Sequence, residues 1–423
     1  MTSQSGRLRE VAADVIDSLR IGDHRANAQS TSLGLQGFAA LMLGLFSSRR
    51  PVGTAPATAV LYAVANPVAH GARFSGATIR ALDEYASTAV IADKTVASDT
   101  LRVDQSFPGL GRRALARGTT LRSLLFALRC RSHATSSELA MIGGSRLWRE
   151  FVFAAQAARY QLAGDLMMRM PRSTLVLTDF DRSAYSRPLI RAAAVRGIRT
   201  ATFVHGTPNS ANYAPALADT VMVWGRAQDE WWKRASPGTR RQVVGRPDLV
   251  RRTDPLAKCI DLVIAHSAET LSAEEEESLL ALLTSATRRG VRTTLRVHPS
   301  VSPSALEGAW RRVAERVDVL LSGTEAVADV TGPDTSVVVV SSSTLVDALL
   351  AGARGIVVAS ADRVLPCEVD YVHRHQGADL ELIAFGPPAE VDQLFRSLTS
   401  SLVRCVGEDS AAELVQALSR IAR

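Results

Sequence analysis

Lysine is almost missing from this chain. Of its 49 basic residues only Lys94, Lys233 and Lys258 are lysines, and the rest are arginines. Cysteine is scarce too. Cys130, Cys259, Cys367 and Cys405 stand far apart, with no CxxC and no Cys/His pair at metal spacing. That excludes a disulfide scaffold and a zinc module, and leaves four buried thiols in a reducing cytoplasm as the expectation. Aromatic residues are only 5% of the chain and do not interleave with basic ones, which argues against a nucleic-acid partner. No apolar run reaches the roughly 20 residues that a membrane span needs. The most apolar stretch, LGLQGFAALMLGLF at 33–46, suits a core or interdomain helix. Arg49 and Arg50 follow it, so an interfacial helix making peripheral contact with a membrane is the alternative. The N-terminus is polar and mixed in charge, so no secretory signal is expected. The expected location is the cytoplasm, including the inner face of the membrane.

What is present is ordinary for a globular protein: 46% apolar and 22% charged residues in a chain of 423. At roughly 100–200 residues per domain, two or three domains are expected. The formal charge of +7 supplies many planar guanidinium forks suited to phosphate and carboxylate. Such a surface serves nucleotides, nucleic acid or an anionic membrane, or simply faces solvent.

The first fifty residues read as helical. From there apolar β-runs alternate with helical segments. The strand runs lie at 57–65, 88–92, 174–178, 199–204 and 220–224. A loop and helix follow the first run, a long helical region covers 119–169, and another helix covers 183–196. The segment RPDLVRRTDPLAK breaks the alternation and reads as an interdomain linker. A second series has strands at 261–265, 293–297, 317–321, 336–340 and 355–359. Its helices lie at 273–289, 303–316 and 343–351, and two more, near 388–402 and 410–422, close the chain. This β-α-β spacing implies an α/β protein with two facing Rossmann-like domains, 1–249 with a helical insert and 250–423. Ligands in such sheets bind at the carboxyl ends of the strands.

Three constellations fall there. Phe203-Val204-His205-Gly206-Thr207-Pro208 puts an imidazole at a strand end, where it can take a proton from a hydroxyl near neutral pH. Leu295-Arg296-Val297-His298-Pro299 repeats the placement in the second domain, and Arg296 shares the strand face of His298. That pair suits a diphosphate. Ser341-Ser342-Ser343-Thr344 follows a β-branched run and opens a helix, with Asp347 one turn in, placed to reach a ribose hydroxyl. An ordinary N-cap explains one serine there but not four hydroxyls.

Taken in order, HGTP, RVHP and SSST resemble the CDP-glycerol glycerophosphotransferases of teichoic acid synthesis. They also resemble the wider group of polysialyltransferase-like and capsular polysaccharide transferases. The similarity spans about 170–360. It implies a GT-B fold, a nucleotide-activated sugar or polyol donor, and no metal or other cofactor. By the resemblance His205 is the base on the acceptor hydroxyl, His298 steadies the donor phosphate, and Ser342 and Ser343 contact it. Partners would be a nucleotide-sugar donor, CMP- or CDP-linked among the options, and a glycan or lipid-linked acceptor of the cell envelope. The flanks depart from the teichoic acid pattern. Val204 stands where many of those enzymes have tryptophan, and Asn209-Ser210-Ala211 where basic residues follow. Val340-Ser341 replaces an aromatic or acidic residue. These departures leave the transferred group open.

Secondary candidates complete the set. Asp179 ends a strand near His205, as an orienting group, a base or a helix cap. His266 and Ser267 end the first strand of the second domain, on the donor side. Asn66 and His70, with Gly206 and Thr207, suit the acceptor side. The acidic run Glu274–Glu277 reads as a solvated helix start. Two other functions fit the same architecture. A UDP-sugar 2-epimerase requires further carboxylates around the cleft, and a non-catalytic nucleotide-sugar binding protein needs neither histidine.

Overall fold

The computed structural model describes residues 4–21, 36, 39–40, 58–65, 69–94, 97, 99–110, 120–209, 213–252, 254–267, 269–298, 301–322, 327–372 and 377–422. The apolar stretch at 33–46, and Asn66, lie largely or wholly outside them. The chain forms two parallel sheets, each covered by helices on both faces, which is the Rossmann-like α/β arrangement expected.

Helix α1 (Gln4–Ile21) precedes the first sheet. The sheet's strands are β1 (Val60–Ala63), β2 (Thr88–Ala92), β3 (Gln105–Ser106), β4 (Leu175–Thr178), β5 (Arg199–Phe203), β6 (Thr220–Val223) and β7 (Arg240–Val243). They run parallel in the order β3-β2-β1-β4-β5-β6-β7. Every side chain of β1 and β4 is buried, as parallel strands with two covered faces require. The strand order reverses between β1 and β4, where Val60 faces Leu175 and Ala63 faces Thr178. Strand β7 and the short β3 were not evident in the sequence. Half-exposed Arg240–Val243 carries no apolar run to announce it.

The segment after β1 is α2 (Ala69–Tyr85), helical from the start rather than a loop followed by a helix. The long helical region at 119–169 is three helices: α3 (Leu121–Arg131), α4 (Ser136–Ala140) and α5 (Arg146–Met167). Thr120, Thr135 and Ser145 cap their N-termini, and Gly143 and Gly144, both at φ 82°, turn the chain before α5. Helix α6 (Arg187–Val195) follows β4, and α7 (Arg226–Ala235) follows β6.

The second sheet holds β8 (Asp261–Ala265), β9 (Arg292–Arg296), β10 (Val319–Leu321), β11 (Thr335–Val339) and β12 (Arg354–Val357), in the order β10-β9-β8-β11-β12. Its reversal lies between β8 and β11. Helix α8 (Ala273–Arg288) joins β8 to β9. The single helix expected at 303–316 is a 3-10 turn, Pro303–Ala305, and α9 (Gly308–Ala314), because Leu306 and Glu307 adopt extended backbone. Then come α10 (Val327–Val330), α11 (Thr344–Leu350), α12 (Cys367–Tyr371), α13 (Gly377–Phe385), α14 (Pro388–Leu402) and α15 (Gly407–Ala422). Cys130, Cys259 and Cys367 are buried as expected, and Cys405 only partly.

One apolar core runs through both sheets. Phe203 and Trp224 of the first unit share it with Val337 and Leu345 of the second and with Phe395 and Leu418 of the closing helices. The chain end returns to the first sheet. Arg246 N donates to Cys405 O at 2.9 Å, and Ser410 Oγ donates to Val244 O at 2.6 Å.

Candidate functional site

Both strand-order reversals carry polar side chains at their carboxyl ends. In the first sheet Asp179, wholly buried after β4, accepts from Ala65 N at 2.6 Å and so ties the end of β1 to the end of β4. Its carbonyl oxygen, not its carboxylate, meets His205, with Nδ1 2.9 Å away. A carbonyl only accepts, so that contact assigns the proton to Nδ1 and leaves the Nε2 lone pair free to accept. Phe74, Phe180 and Tyr213 surround the ring at centroid distances of 6.5, 5.9 and 6.4 Å. Gly206 leaves room for Tyr213: a Cβ would sit 2.9 Å from its Oη, so that side chain would have to shift. Asp181 accepts from Leu217 N and Ala218 N at 2.6 and 2.9 Å, and is spent on that loop.

The carbonyls around His205 are held one by one. Trp224 Nε1 donates to Val204 O at 2.5 Å, Gln228 Nε2 lies 3.4 Å from Gly206 O, and Cys367 N donates to Pro208 O at 2.9 Å. The last comes from α12, so the second unit touches the HGTP loop directly. Arg246 is buried, forked onto Asp248 at 2.7 Å and stacked 4.2 Å over Trp224. Burial works against the charge of that guanidinium, but Asp248, and after it Asp347 on α11, outweigh burial and raise its pKa. The linker also meets the helix after the serine run, where Arg252 N donates to Leu350 O at 2.8 Å. Thr207 is half-buried in the His205 loop. His70 lies in the first turn of α2, with its side chain outside the described residues.

In the second sheet His266 and Ser267 follow β8, and His298 follows β9. His298 N donates to His266 Nδ1 at 3.2 Å. An accepting Nδ1 places the proton on Nε2, so His266 presents an N–H, the opposite tautomer to His205. Trp310 packs edge-on at 4.8 Å. Burial, reinforced by His298, lowers the His266 pKa to about 4, which keeps the ring neutral at physiological pH. Burial and the neighbouring Arg296 lower His298 as well. Arg296 ends β9 and is 8% exposed. Ser267 Oγ is buried with no hydrogen-bond partner among the described residues.

The serine run lies across the reversal from these groups. Ser341 Oγ donates to Glu269 Oε2 at 2.9 Å, and Ser342 Oγ to Thr344 Oγ1 at 2.9 Å. Ser343 takes the N-cap position of α11 without a side-chain cap bond. Arg363 Nη1 holds the same Glu269 oxygen at 2.7 Å. Arg363 also forks onto Glu275, which accepts from Ser272 N and Ser360 N at 2.8 and 2.9 Å. Glu275 is 1% exposed, so the solvated acidic run fails there: the second-sheet loop reaches over it and needs its charge. Glu368 on α12 is wholly buried against Gln228, and burial raises its pKa to about 8.

Sequence reasoning missed Arg246, Gln228, Glu269, Arg363 and Glu368. Only Arg246 had a signal, as an arginine between Gly245 and Pro247 in the segment taken for a linker. A well-formed cavity lies away from His205, His266 and His298. It measures about 900 Å³ and sits between α1, α3, α5 and α6, with Asp14, Tyr160, Arg187, Phe126 and Met168 in its walls. No group of three metal-ligating side chains occurs among the described residues, and no helix among them is long and apolar enough to cross a membrane.

No protein-family model and no curated protein matches this sequence. Solved structures do match in shape. One is a putative UDP-N-acetylglucosamine 2-epimerase from Listeria monocytogenes, at 13% identity and TM-score 0.50, covering 86% of this chain and 96% of that one. A second is a UDP-glucosyltransferase from Polygonum tinctorium, at 12% identity and TM-score 0.47, covering 87% of this chain and 99% of that one. A third, a GtfA/B complex, aligns at 12% identity and TM-score 0.40 with 62% of this chain, which spans 61% of the matched chain. The likeness to the epimerase, together with the two parallel sheets, gives the fold: two Rossmann-like domains in the GT-B-like arrangement.

Proposed function

We propose that this chain is a nucleotide-sugar-dependent glycosyltransferase acting on a hydroxyl acceptor, a glycan or lipid-linked glycan of the cell envelope. The observation that carries it is the pair of opposite tautomers at the carboxyl ends of the two sheets. His205 offers a lone pair, and His266 offers an N–H. His205 Nε2 takes the proton of the acceptor hydroxyl as its oxygen attacks the sugar carbon. The bond to the nucleotide phosphate breaks, and negative charge grows on the leaving oxygen. His266 Nε2–H, His298, Arg296 and the hydroxyls of Ser267 and Ser342–Thr344 are the groups for that charge; His266, Ser267 and Arg296 are buried and the others half-buried. Ser341 joins them on releasing Glu269. Asp179 acts through its carbonyl, which sets the His205 ring. Asp347 is placed for a ribose hydroxyl. The donor is a CMP-, CDP- or UDP-linked sugar, or a CDP-linked polyol, for which the hydroxyl attacks phosphorus and CMP leaves, and the chemistry requires no metal or cofactor.

Thermal-shift titration with CMP, CDP, UDP and GDP tests this. One nucleotide should raise Tm, and His298→Ala should remove the effect. His205→Ala should lower transfer by about 10²-fold or more while nucleotide affinity stays within about twofold. No response to all four nucleotides rejects a nucleotide donor.

A second function, 2-epimerisation of a UDP-sugar, gains from Glu368, a buried carboxyl beside the His205 loop of the kind that reaction requires. It needs no acceptor. Incubation with UDP-N-acetylglucosamine alone, followed by proton NMR of the sugar, separates the two: a new 2-epimer selects epimerisation.

A further inference from the structure

We infer that Glu368 and Gln228 form a clamp between the two domains that positions His205 by gripping the carbonyl of Gly206. Gln228 is wholly buried and uses both ends of its amide. Its Oε1 accepts from Trp224 N at 3.0 Å, and its Nε2 faces Gly206 O at 3.4 Å and donates to Glu368 Oε1. Glu368 stands next to Cys367, whose N–H holds Pro208 O and whose Sγ lies 3.3 Å from Ala227 O. Helix α12 is thus bonded both to the HGTP loop and to the start of α7. The same segment, traced back to Arg363, leads to Glu269 and Ser341. One short stretch, 360–368, therefore links the serine run to the acceptor-side histidine.

A carboxyl in this place is informative. Gln228 Nε2 needs only an acceptor, which a backbone carbonyl or an amide supplies without a titratable group. Glu368 Oε2 has no hydrogen-bond partner among the described residues, and the carboxyl has no exposure. The charged and titratable groups facing it are Arg246 from the linker, Tyr213 from the loop before β6 and Cys367 from its own helix. Arg246 is committed to Asp248, so its charge only partly offsets the loss of water. The acid is neutral at pH 7 and ionises near pH 8. Ionisation strengthens the bond from Gln228 Nε2 to Glu368 Oε1 and draws that N–H away from Gly206 O, which loosens the grip on the loop.

The clamp is a positioning device, and its activity arm rests on His205 as the base. Its test therefore includes a readout that needs no turnover. In full-length protein with labelled histidine, the His205 ring resonance should show a second inflection near pH 8. Glu368→Gln, a neutral isostere, should abolish that inflection while keeping the neutral-pH chemical shift. Glu368→Ala should move the shift at every pH. In transfer assays Glu368→Gln should keep kcat within about threefold and extend activity to higher pH. Glu368→Ala should lower kcat at least tenfold with donor KM within twofold. A His205 resonance unchanged by Glu368→Ala overturns the clamp. So does a Glu368→Gln variant as inactive as Glu368→Ala, which would make the charged carboxylate the working form. A wild type without transfer activity but with the inflection at pH 8 rejects the proposed reaction and keeps the clamp.

Discussion

At the residue scale, His266 shows how one backbone contact and burial set a protonation state. Its Nδ1 accepts from His298 N, and burial holds the ring at about 4 against 6.5 for a free imidazole. Between those values the unfolded chain binds more protons than the folded one, so stability rises with pH. The contribution is complete above about pH 6.5 and is lost as pH falls toward 4. Acidification from pH 7 to pH 5 should cost about 2 kcal/mol through this residue. Urea unfolding at the two pH values, compared with His266→Gln, checks it, and the variant should be less acid-sensitive by that amount. His205 was legible at this scale because a polar residue broke an apolar strand run. Its tautomer was not, since the partner is a carbonyl 26 residues away.

At the element scale, helix α8 opens with a capping box, in which Ser272 and Glu275 exchange side-chain and backbone bonds. Ser272 followed three residues on by Glu275 is a sequence-level signature of a helix start, and the helix was expected at 273–289. The second use of Glu275 was hidden. Its other oxygen takes Ser360 N–H, and the Arg363 fork spans both oxygens, contacts made 85 and 88 residues along the chain. Glu275→Ala takes the buried anion away from Ser360 N and from the Arg363 fork, and leaves Arg363 only Glu269 and the Thr270 carbonyl among the bonds described. The expected loss is about 3 kcal/mol in denaturant unfolding, against about 1 kcal/mol for Ser272→Ala, which loses only the cap. Equal losses would mean that the loop contact contributes little. Helices α3 to α5 read as one element because their apolar spacing continues through two caps and a glycine pair, and periodicity alone does not see the turns.

At the scale of the whole molecule, the chain end binds the first sheet. Gly245 has φ 77°, and a Cβ there would lie 2.1 Å from Cys405 O. Neither the backbone conformation nor the space admits a side chain. Gly245→Ala should cost about 2–4 kcal/mol and make the segment after α14 sensitive to limited proteolysis. Gly290, at φ 67° with open space around it, is the control: Gly290→Ala should cost about 1 kcal/mol and leave proteolysis unchanged. The shared core makes this coupling cooperative, because Trp224, Leu345 and Leu418 belong to one apolar cluster.

Local pattern was enough for ten of the strands, for the helices after β4 and β8, and for the strand-end positions of His205, His266 and His298. Those features depend on hydrophobic period and on turn residues, which act over a few positions. Tertiary structure alone decided the edge strand β7, the burial of Glu275, the contact of α12 with the HGTP loop and the return of α15 to the first sheet. Each joins residues far apart in sequence. Its energy comes from desolvation and from hydrogen bonds that exist only once both partners are in place, so neither partner's neighbours along the chain announce it.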